Sequence, residues 1–369
     1  MDLNVILAAG GSGGHIFPAV ALAEELENIG VKNIIFVSSK RRLDKNILKG
    51  CGHICHFMSI NPMPFGMNPF RWLVFVLKFI KDTISSFFLL YKIRPDVVVG
   101  FGGYSSGPVV RCSGMLAIPV LIHEQNLVPG RANRLLSRYA KKVAVSFRGT
   151  EAYFRDVSGG VVFSGNPLRR SSLKKDRPGA AQRLGLSEDK KTVLVMGGSQ
   201  GSRFLNSVAS KAAGMIGEKY GDEVQFIHLT GKADFDDISS FYSDHNIAGK
   251  VISFLNGIED AYSLCDMAIS RAGAAAIFEL AFFSRPMVLV PYPNPKNNQR
   301  SNAEYFSKNG AAVLREESGL SAGSLAEEVI DILWGGDKYD SMSKAAASLS
   351  VPEAAKKLAE EVVSLAEQK

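Results

Sequence analysis

The chain has 369 residues, of which 46% are apolar and 21% charged, a length that suggests two domains and a balance that excludes a disordered or fibrous chain. Four cysteines (Cys51, Cys55, Cys112, Cys265) are too few for a disulfide framework and fit a reducing compartment. The net charge of +7 is uneven: residues 1–165 hold 19 Lys+Arg against 10 Asp+Glu, and residues 166–369 hold 24 against 26.

No signal of secretion opens the chain, because residues 1–4 lack a basic stretch and the apolar run after them stops in glycines; the protein is expected to remain in the cytosol. A strand over 3–9 feeds the turn Gly10-Gly11-Ser12-Gly13-Gly14-His15, and a helix follows over about 17–29. A dinucleotide fold would need a third glycine where Ile16 stands and an acidic residue where the next strand, 33–37, runs into Ser38-Ser39. A P-loop would need G-K-[ST]. The turn therefore reads as a cradle for some other phosphate-bearing ligand, since the free N–H groups and positive dipole of a helix start favour an anion.

The cluster Cys51-Gly52-His53-Ile54-Cys55-His56 has the wrong spacing for a zinc knuckle and no second ligand pair, so a buried strand is the better reading. Residues 72–91 are the most hydrophobic stretch, interrupted by Lys78, Lys81 and Asp82. A spanning helix is disfavoured, leaving a deeply packed crossover helix or partial insertion into a membrane interface. Strands over 97–100, 119–122, 142–146 and 161–163 alternate with helices over 105–116 and 129–139, the pattern of a parallel α/β sheet. The basic half has no aromatic interleaving and no nucleic-acid motif, so an anionic membrane surface is the expected partner and nucleic acid is not.

A polar linker over 169–178 precedes a second alternation, with strands near 192–196, 224–229, 250–253, 267–269, 287–290 and 311–314. Its first strand also ends in a glycine turn, Gly197-Gly198-Ser199-Gln200-Gly201. Asp234-Phe235-Asp236 has the letters of a metal-binding pair but lies in a polar segment, where a solvated loop is the commoner outcome. Residues 352–367 form a last amphipathic helix, able to pack on either domain.

Seven motifs now stand in order: G-G-S-G-G-H-I-F-P (10–18), G-F-G-G-Y-S-S-G-P (100–108), H-E-Q-N (123–126), S-G-N-P-L-R (164–169), G-G-S-Q-G-S (197–202), R-A-G-A-A-A-I-F-E (271–279) and Q-R-S-N-A (299–303). Together they resemble the MurG family of bacterial glycosyltransferases, within the GT-B superfamily. The resemblance implies two Rossmann-like doubly wound parallel-sheet α/β domains facing one cleft, spanning 1–164 and 165–350, with 351–369 as a terminal helix that packs back on the first. It implies transfer of N-acetylglucosamine from UDP-GlcNAc to the 4-hydroxyl of the muramyl sugar on an undecaprenyl-linked lipid acceptor, with inversion. No metal or other cofactor is implied. The expected place is the cytoplasmic face of the inner membrane, peripherally bound, with other cell-wall enzymes as further partners.

Inversion in one displacement requires a base for the acceptor hydroxyl and stabilisation of departing UDP. His15 is the first candidate base, with the alternative that it only orients a diphosphate or a loop; Glu124 is the second, with the alternative that it braces the loop carrying Asn126. The resemblance assigns the donor to Ser12, Gly13, Gly14, Asn126, Arg169, Ser199, the Leu255 backbone for uracil, Ala274, Ala275, Ala276, Glu279 for the ribose, and Gln299 with Asn302 for the sugar. Asn298 replaces a frequent glutamine, and Ala276 replaces a usual threonine able to hydrogen-bond phosphate, so that one phosphate contact of the family is not expected here. Gly102, Gly103, Tyr104 and Ser105 are assigned the acceptor diphosphate, and Trp72, Phe75, Phe79, Lys78 and Lys81 the membrane. A UDP-GlcNAc epimerase of the same superfamily and a non-catalytic nucleotide-sugar sensor are the competing readings.

Overall fold

Runs of Val, Ile and Leu form two separate all-parallel sheets whose central strands are buried on both faces, which is why they read as continuous apolar stretches. The computed structural model describes residues 1–59, 68–198, 200–294 and 298–368, and the chain divides into Met1–Arg169 with Val351–Lys369, and Arg170–Ser350.

The first unit contains β1 (Asn4–Ala8), α1 (Gly13–Asn28), β2 (Asn33–Ser39), α2 (Arg42–Leu48), β3 (Ile54–Met58), α3 (Pro69–Ile93), β4 (Val97–Gly100), α4 (Gly107–Met115), β5 (Val120–Glu124), α5 (Arg131–Leu136), β6 (Lys142–Val145) and β7 (Val161–Phe163). Its sheet order is β3-β2-β1-β4-β5-β6-β7. Val5 and Leu7 pack with Ile16, Leu22 and Leu26 of α1 on one face, while Ile6 and Ala8 pack with Val109 and Val110 of α4 on the other, the two-residue period of a strand. The chain winds outward from β1 to β3 and returns through α3 to β4 beside β1, so the strand order switches between β1 and β4. Crevices at such switch points, beyond the carboxyl ends of the strands, are where open α/β sheets bind ligands.

The second unit holds α6 (Arg177–Leu184), β8 (Lys191–Met196), α7 (Arg203–Tyr220), β9 (Val224–Leu229), α8 (Phe235–Asp244), β10 (Gly249–Ile252), α9 (Ile258–Leu264), β11 (Met267–Ser270), α10 (Ala274–Phe282), β12 (Met287–Leu289), α11 (Gln299–Lys308), β13 (Ala312–Leu314), α12 (Ala322–Trp334) and α13 (Asp337–Leu349). Its order, β10-β9-β8-β11-β12-β13, switches between β8 and β11.

The last helix, α14 (Ala354–Glu367), belongs to the first unit: Leu358, Val362 and Leu365 join the core of Val5, Leu7 and α1, and Lys142 pairs with Glu361. The first unit also extends past 164 to Arg169. Gly165 N–H donates to the Val145 carbonyl, Gly165 packs against Val351, and the Arg169 guanidinium lies 4.4 Å from the Phe17 ring centroid.

Three expectations change. Helix α1 starts at Gly13 rather than 17, which brings His15 into its first turn. The cysteine segment is an edge strand, not a buried one, with Ile54 65% exposed and Cys51 and Cys55 half-buried. Helix α3 is packed on one side only: Asp82, Ser86 and Leu90 are buried, whereas Leu73, Val76, Leu77, Ile80, Ile84, Phe87, Phe88 and Tyr91 face outward. Phe75 and Phe79, read as membrane residues, sit half-buried against the core because steps of three and four residues put them on the seam with Asp82 and Ser86. Trp72 and Lys81 are exposed and Lys78 is intermediate. Among the described residues, no helix is long and apolar enough to cross a membrane.

Candidate active site

Both glycine turns of the first unit lie at its switch point, one after β1 and one after β4. Ser12 is the extended N-cap of α1, and its carbonyl accepts from the N–H groups of His15 and Ile16. His15 Nδ1 lies 3.2 Å from the Gly10 carbonyl oxygen and 3.2 Å from Ser12 Oγ. A carbonyl only accepts, so this contact selects the tautomer with the proton on Nδ1 and leaves a lone pair on Nε2. Removal from water lowers the His15 pKa below its ordinary value, a shift partly opposed by the charge of Glu124, the Gly10 hydrogen bond and the charge of Asp44. A neutral ring near pH 7 follows.

The second turn locks against the first. Gly103 has φ +76°, and a Cβ there would stand 2.4 Å from the Gly10 carbonyl oxygen and 3.3 Å from His15 Nδ1, so no side chain fits without moving the carbonyl that holds the histidine. Tyr104 is half-buried with the Arg41 guanidinium 5.4 Å from its ring centroid, Gly102 is backed by Asn133, and Ser105 is fully buried beneath Gly10. Gly13 faces Phe17, and Gly14 stands beside Ser12 Oγ with room for a Cβ.

The H-E-Q-N motif ends β5 and is spent on internal bonds. Glu124 is buried; Oε1 accepts from the Asn126 backbone and side-chain amides, and Oε2 accepts from Gly130 N–H and Asn133 Nδ2. All four acceptor directions of the carboxylate are filled inside its own loop. His123 lies against the Gly165 carbonyl through Nε2 and against the Gln125 amide through Nδ1, and burial pushes its pKa down to about 4.

In the second unit the turn after β8 meets the segment that follows β11. Gly201, at φ +79°, approaches the Thr230 carbonyl so closely that a Cβ would sit 1.9 Å from its oxygen. A cavity of about 340 Å³ is lined by Gly197, Gly201, Ser202, Arg271, Tyr292 and Gln299, among others. Arg271 is buried and ties three loops together: Nη1 donates to the Val290 and Pro291 carbonyls, and Nη2 to Ser202 Oγ and Glu317. Ala274, Ala275 and Ala276 form the first turn of α10, and Glu279, one turn on, is buried and accepts from the Tyr262 hydroxyl at 2.8 Å. Gln299 accepts from the Tyr292 N–H at the cavity, while Asn302 is fully buried and donates to the Ala272 carbonyl. Leu255 is half-buried in the loop after β10. Ser199 lies outside the described residues.

Asp234 is engaged by Arg203 and Asn206 at the start of α8. No three His, Cys, Asp or Glu side chains converge as a metal-binding group among the described residues. Sequence reasoning passed over Asp44, Arg271 and Tyr262. Of these only Arg271 carried a signal, as the first letter of a matched motif.

Residues 5–145 match the model of the glycosyltransferase family 28 N-terminal domain, and residues 192–358 that of its C-terminal domain. Two curated relatives are each called UDP-N-acetylglucosamine–N-acetylmuramyl-(pentapeptide) pyrophosphoryl-undecaprenol N-acetylglucosamine transferase. The one from Halalkalibacterium halodurans is 34% identical, covering 96% of this chain and 98% of that protein. The one from Desulfotalea psychrophila is 36% identical, covering 96% and 95%. The crystal structure of Acinetobacter baumannii MurG matches with a TM-score of 0.75 at 27% identity, covering 98% of this chain and 99% of that one. A UDP-GlcNAc 2-epimerase from Neisseria meningitidis, bound to UDP-GlcNAc, matches at 0.69 with 14% identity over 98% and 100%, a likeness of fold alone.

Proposed function

The chain belongs to the MurG family, within glycosyltransferase family 28, and is an N-acetylglucosaminyltransferase; on that premise we propose that it moves N-acetylglucosamine from UDP-GlcNAc to the 4-hydroxyl of the muramyl sugar on undecaprenyl diphosphate, with His15 as base. The observation that carries the assignment is the contact between His15 Nδ1 and the Gly10 carbonyl, which leaves Nε2 unprotonated. Nε2 takes the hydroxyl proton, the oxygen forms a bond to the anomeric carbon, and the bond from that carbon to the diphosphate breaks with its electron pair leaving on UDP. Glu124, with all its acceptor directions filled, braces the Asn126 loop rather than competing for the proton.

The second unit holds the donor. The start of α10, with no side-chain cap and open space at Gly273, favours the diphosphate, Glu279 accepts from the ribose, and Gln299 borders the sugar. Arg169 adds a cation to the departing UDP. The turn Gly102–Tyr104 takes the acceptor diphosphate. Because that acceptor is anchored by a polyprenyl chain, the outward apolar stripe of α3, with Arg71 and Lys81 beside it, docks peripherally on the anionic cytoplasmic face of the inner membrane.

The test is UDP release from UDP-GlcNAc with and without a lipid-linked muramyl acceptor. Release that requires the acceptor is expected. Conversion of UDP-GlcNAc to an epimer without acceptor, or no turnover with it, would overturn the reading.

A further inference from the structure

Asp44, at the start of α2, is a fully buried carboxylate with a one-sided set of partners. Its Oδ2 accepts from the Gly11 N–H at 2.8 Å, from Ser39 Oγ at 2.6 Å and from Ser38 Oγ at 3.2 Å, while Oδ1 is buried without a hydrogen-bond partner. The oxygen also presses on the turn itself, since a Cβ on Gly10 would lie 2.8 Å from it. From the other side, Arg41 Nη1 donates to the Gly11 carbonyl at 3.2 Å. The peptide groups of Gly11 are thus held at both ends by two residues three positions apart, and Gly10, next to them, supplies the carbonyl that orients His15. A buried carboxylate with an orphaned oxygen is costly for folding alone.

We infer that Asp44 is a positioning residue for the transfer: it fixes the first glycine turn through Gly11 and supplies a standing negative charge to the imidazolium that His15 becomes on taking the hydroxyl proton. The inference rests on the reading of His15 as base. The charged groups acting on His15 are Glu124 from the end of β5 and Asp44 from α2; Arg41, just before α2, and Tyr104 of the second turn stand against Gly11, and Arg169 lies over Phe17 of α1. Both carboxylates favour the protonated ring, Glu124 more strongly than Asp44; what sets Asp44 apart is its direct bond to the turn that carries the histidine.

The experiment is the pH dependence of acceptor-dependent UDP release at saturating substrates, for wild type, Asp44→Asn, Ser39→Ala and His15→Ala, with circular dichroism to confirm folding. Asp44→Asn keeps the shape and removes the charge, so kcat should fall about tenfold or more and the acidic limb should move down by about half a pH unit or more. Ser39→Ala keeps the charge and loses one anchor, so kcat should fall several-fold with the limb in place. An unmoved limb in folded Asp44→Asn overturns the inference whatever happens to kcat, since a merely structural role would lower turnover alone. If Asp44→Asn does not fold, Ser39→Ala with wild-type turnover overturns it instead. A limb that persists in His15→Ala refutes the base assignment; a limb that vanishes there but stays put in Asp44→Asn refutes only the role of Asp44.

Discussion

Beneath the first glycine turn lie two buried carboxylates, Asp44 and Glu124, and beneath the second lies a buried guanidinium, Arg271, although the two turns leave homologous places in two sheets of the same design. The strand-turn-helix geometry recurs in both, although Ser12 leaves the start of α1 without a side-chain cap while Ser202 Oγ caps that of α7. What differs is the charge of the supporting layer, which is contributed by elements distant in sequence. A negative layer favours a group that becomes cationic, whereas a guanidinium already paired with Glu317 fixes its loops without lending them a net positive charge. On the proposed assignment the first cradle is thereby biased toward proton acceptance, and the second is left to hold phosphate through its backbone.

The sharpest way to break this contrast is to remove the titrating group. His15→Ala should lower turnover by about 10²–10⁴ while UDP affinity, measured by calorimetry, stays put. In the wild type, turnover should be lost as pH falls through a value below 6.5, because the depressed pKa keeps the ring neutral to lower pH than a free histidine. Lost UDP affinity with surviving kcat would make the first turn an anion site as well. Next in size, Arg271→Ala strands Glu317 and frees three loops, and should cost about 3 kcal/mol of stability in urea titrations along with weaker UDP binding. A variant equally stable and equally tight would leave the second turn without its charged support.

Glu279→Ala should weaken UDP by about 1.5–3 kcal/mol, the range for a hydrogen bond to a charged group; unchanged affinity would take Glu279 out of the ribose site. On vesicles, Leu77→Ser with Ile84→Ser should reduce binding, and Arg71→Glu with Lys81→Glu should remove about 1 kcal/mol per charge, with salt acting in the same direction. Binding indifferent to salt, to lipid charge and to these changes would return α3 to a structural role. The smallest expected effect is none: with Asp234 held by Arg203 and Asn206, turnover should persist in excess EDTA, and loss restored by Mg²⁺ would contradict it.

The parallel α/β alternation and both glycine turns were legible because each is local: a β-branched run, a glycine pair, an amphipathic stretch. The supporting layers were not. Asp44 reaches Gly11 across 33 positions, and Arg271 reaches Ser202 across 69, distances over which no spacing rule operates. Likewise, the period of residues 72–91 identified a helix with an apolar surface, yet only the packing of α3 decides that Phe75 turns inward and Leu77 outward. Glu124 and Asn302 could be named from motifs, but the partners that occupy them, Gly130, Asn133 and Ala272, come from turns that a motif does not specify.

The placement of α14 has a consequence for biosynthesis. Leu358, Val362 and Leu365 complete the core around Val5 and Leu7, so the first unit to leave the ribosome lacks part of its interior until the last helix has been made. The second unit, contained wholly within Arg170–Ser350, has no such wait and can finish folding first. During that interval the nascent first half exposes the apolar surface that α14 will cover. A chain ended before Ala354 would retain that exposure permanently.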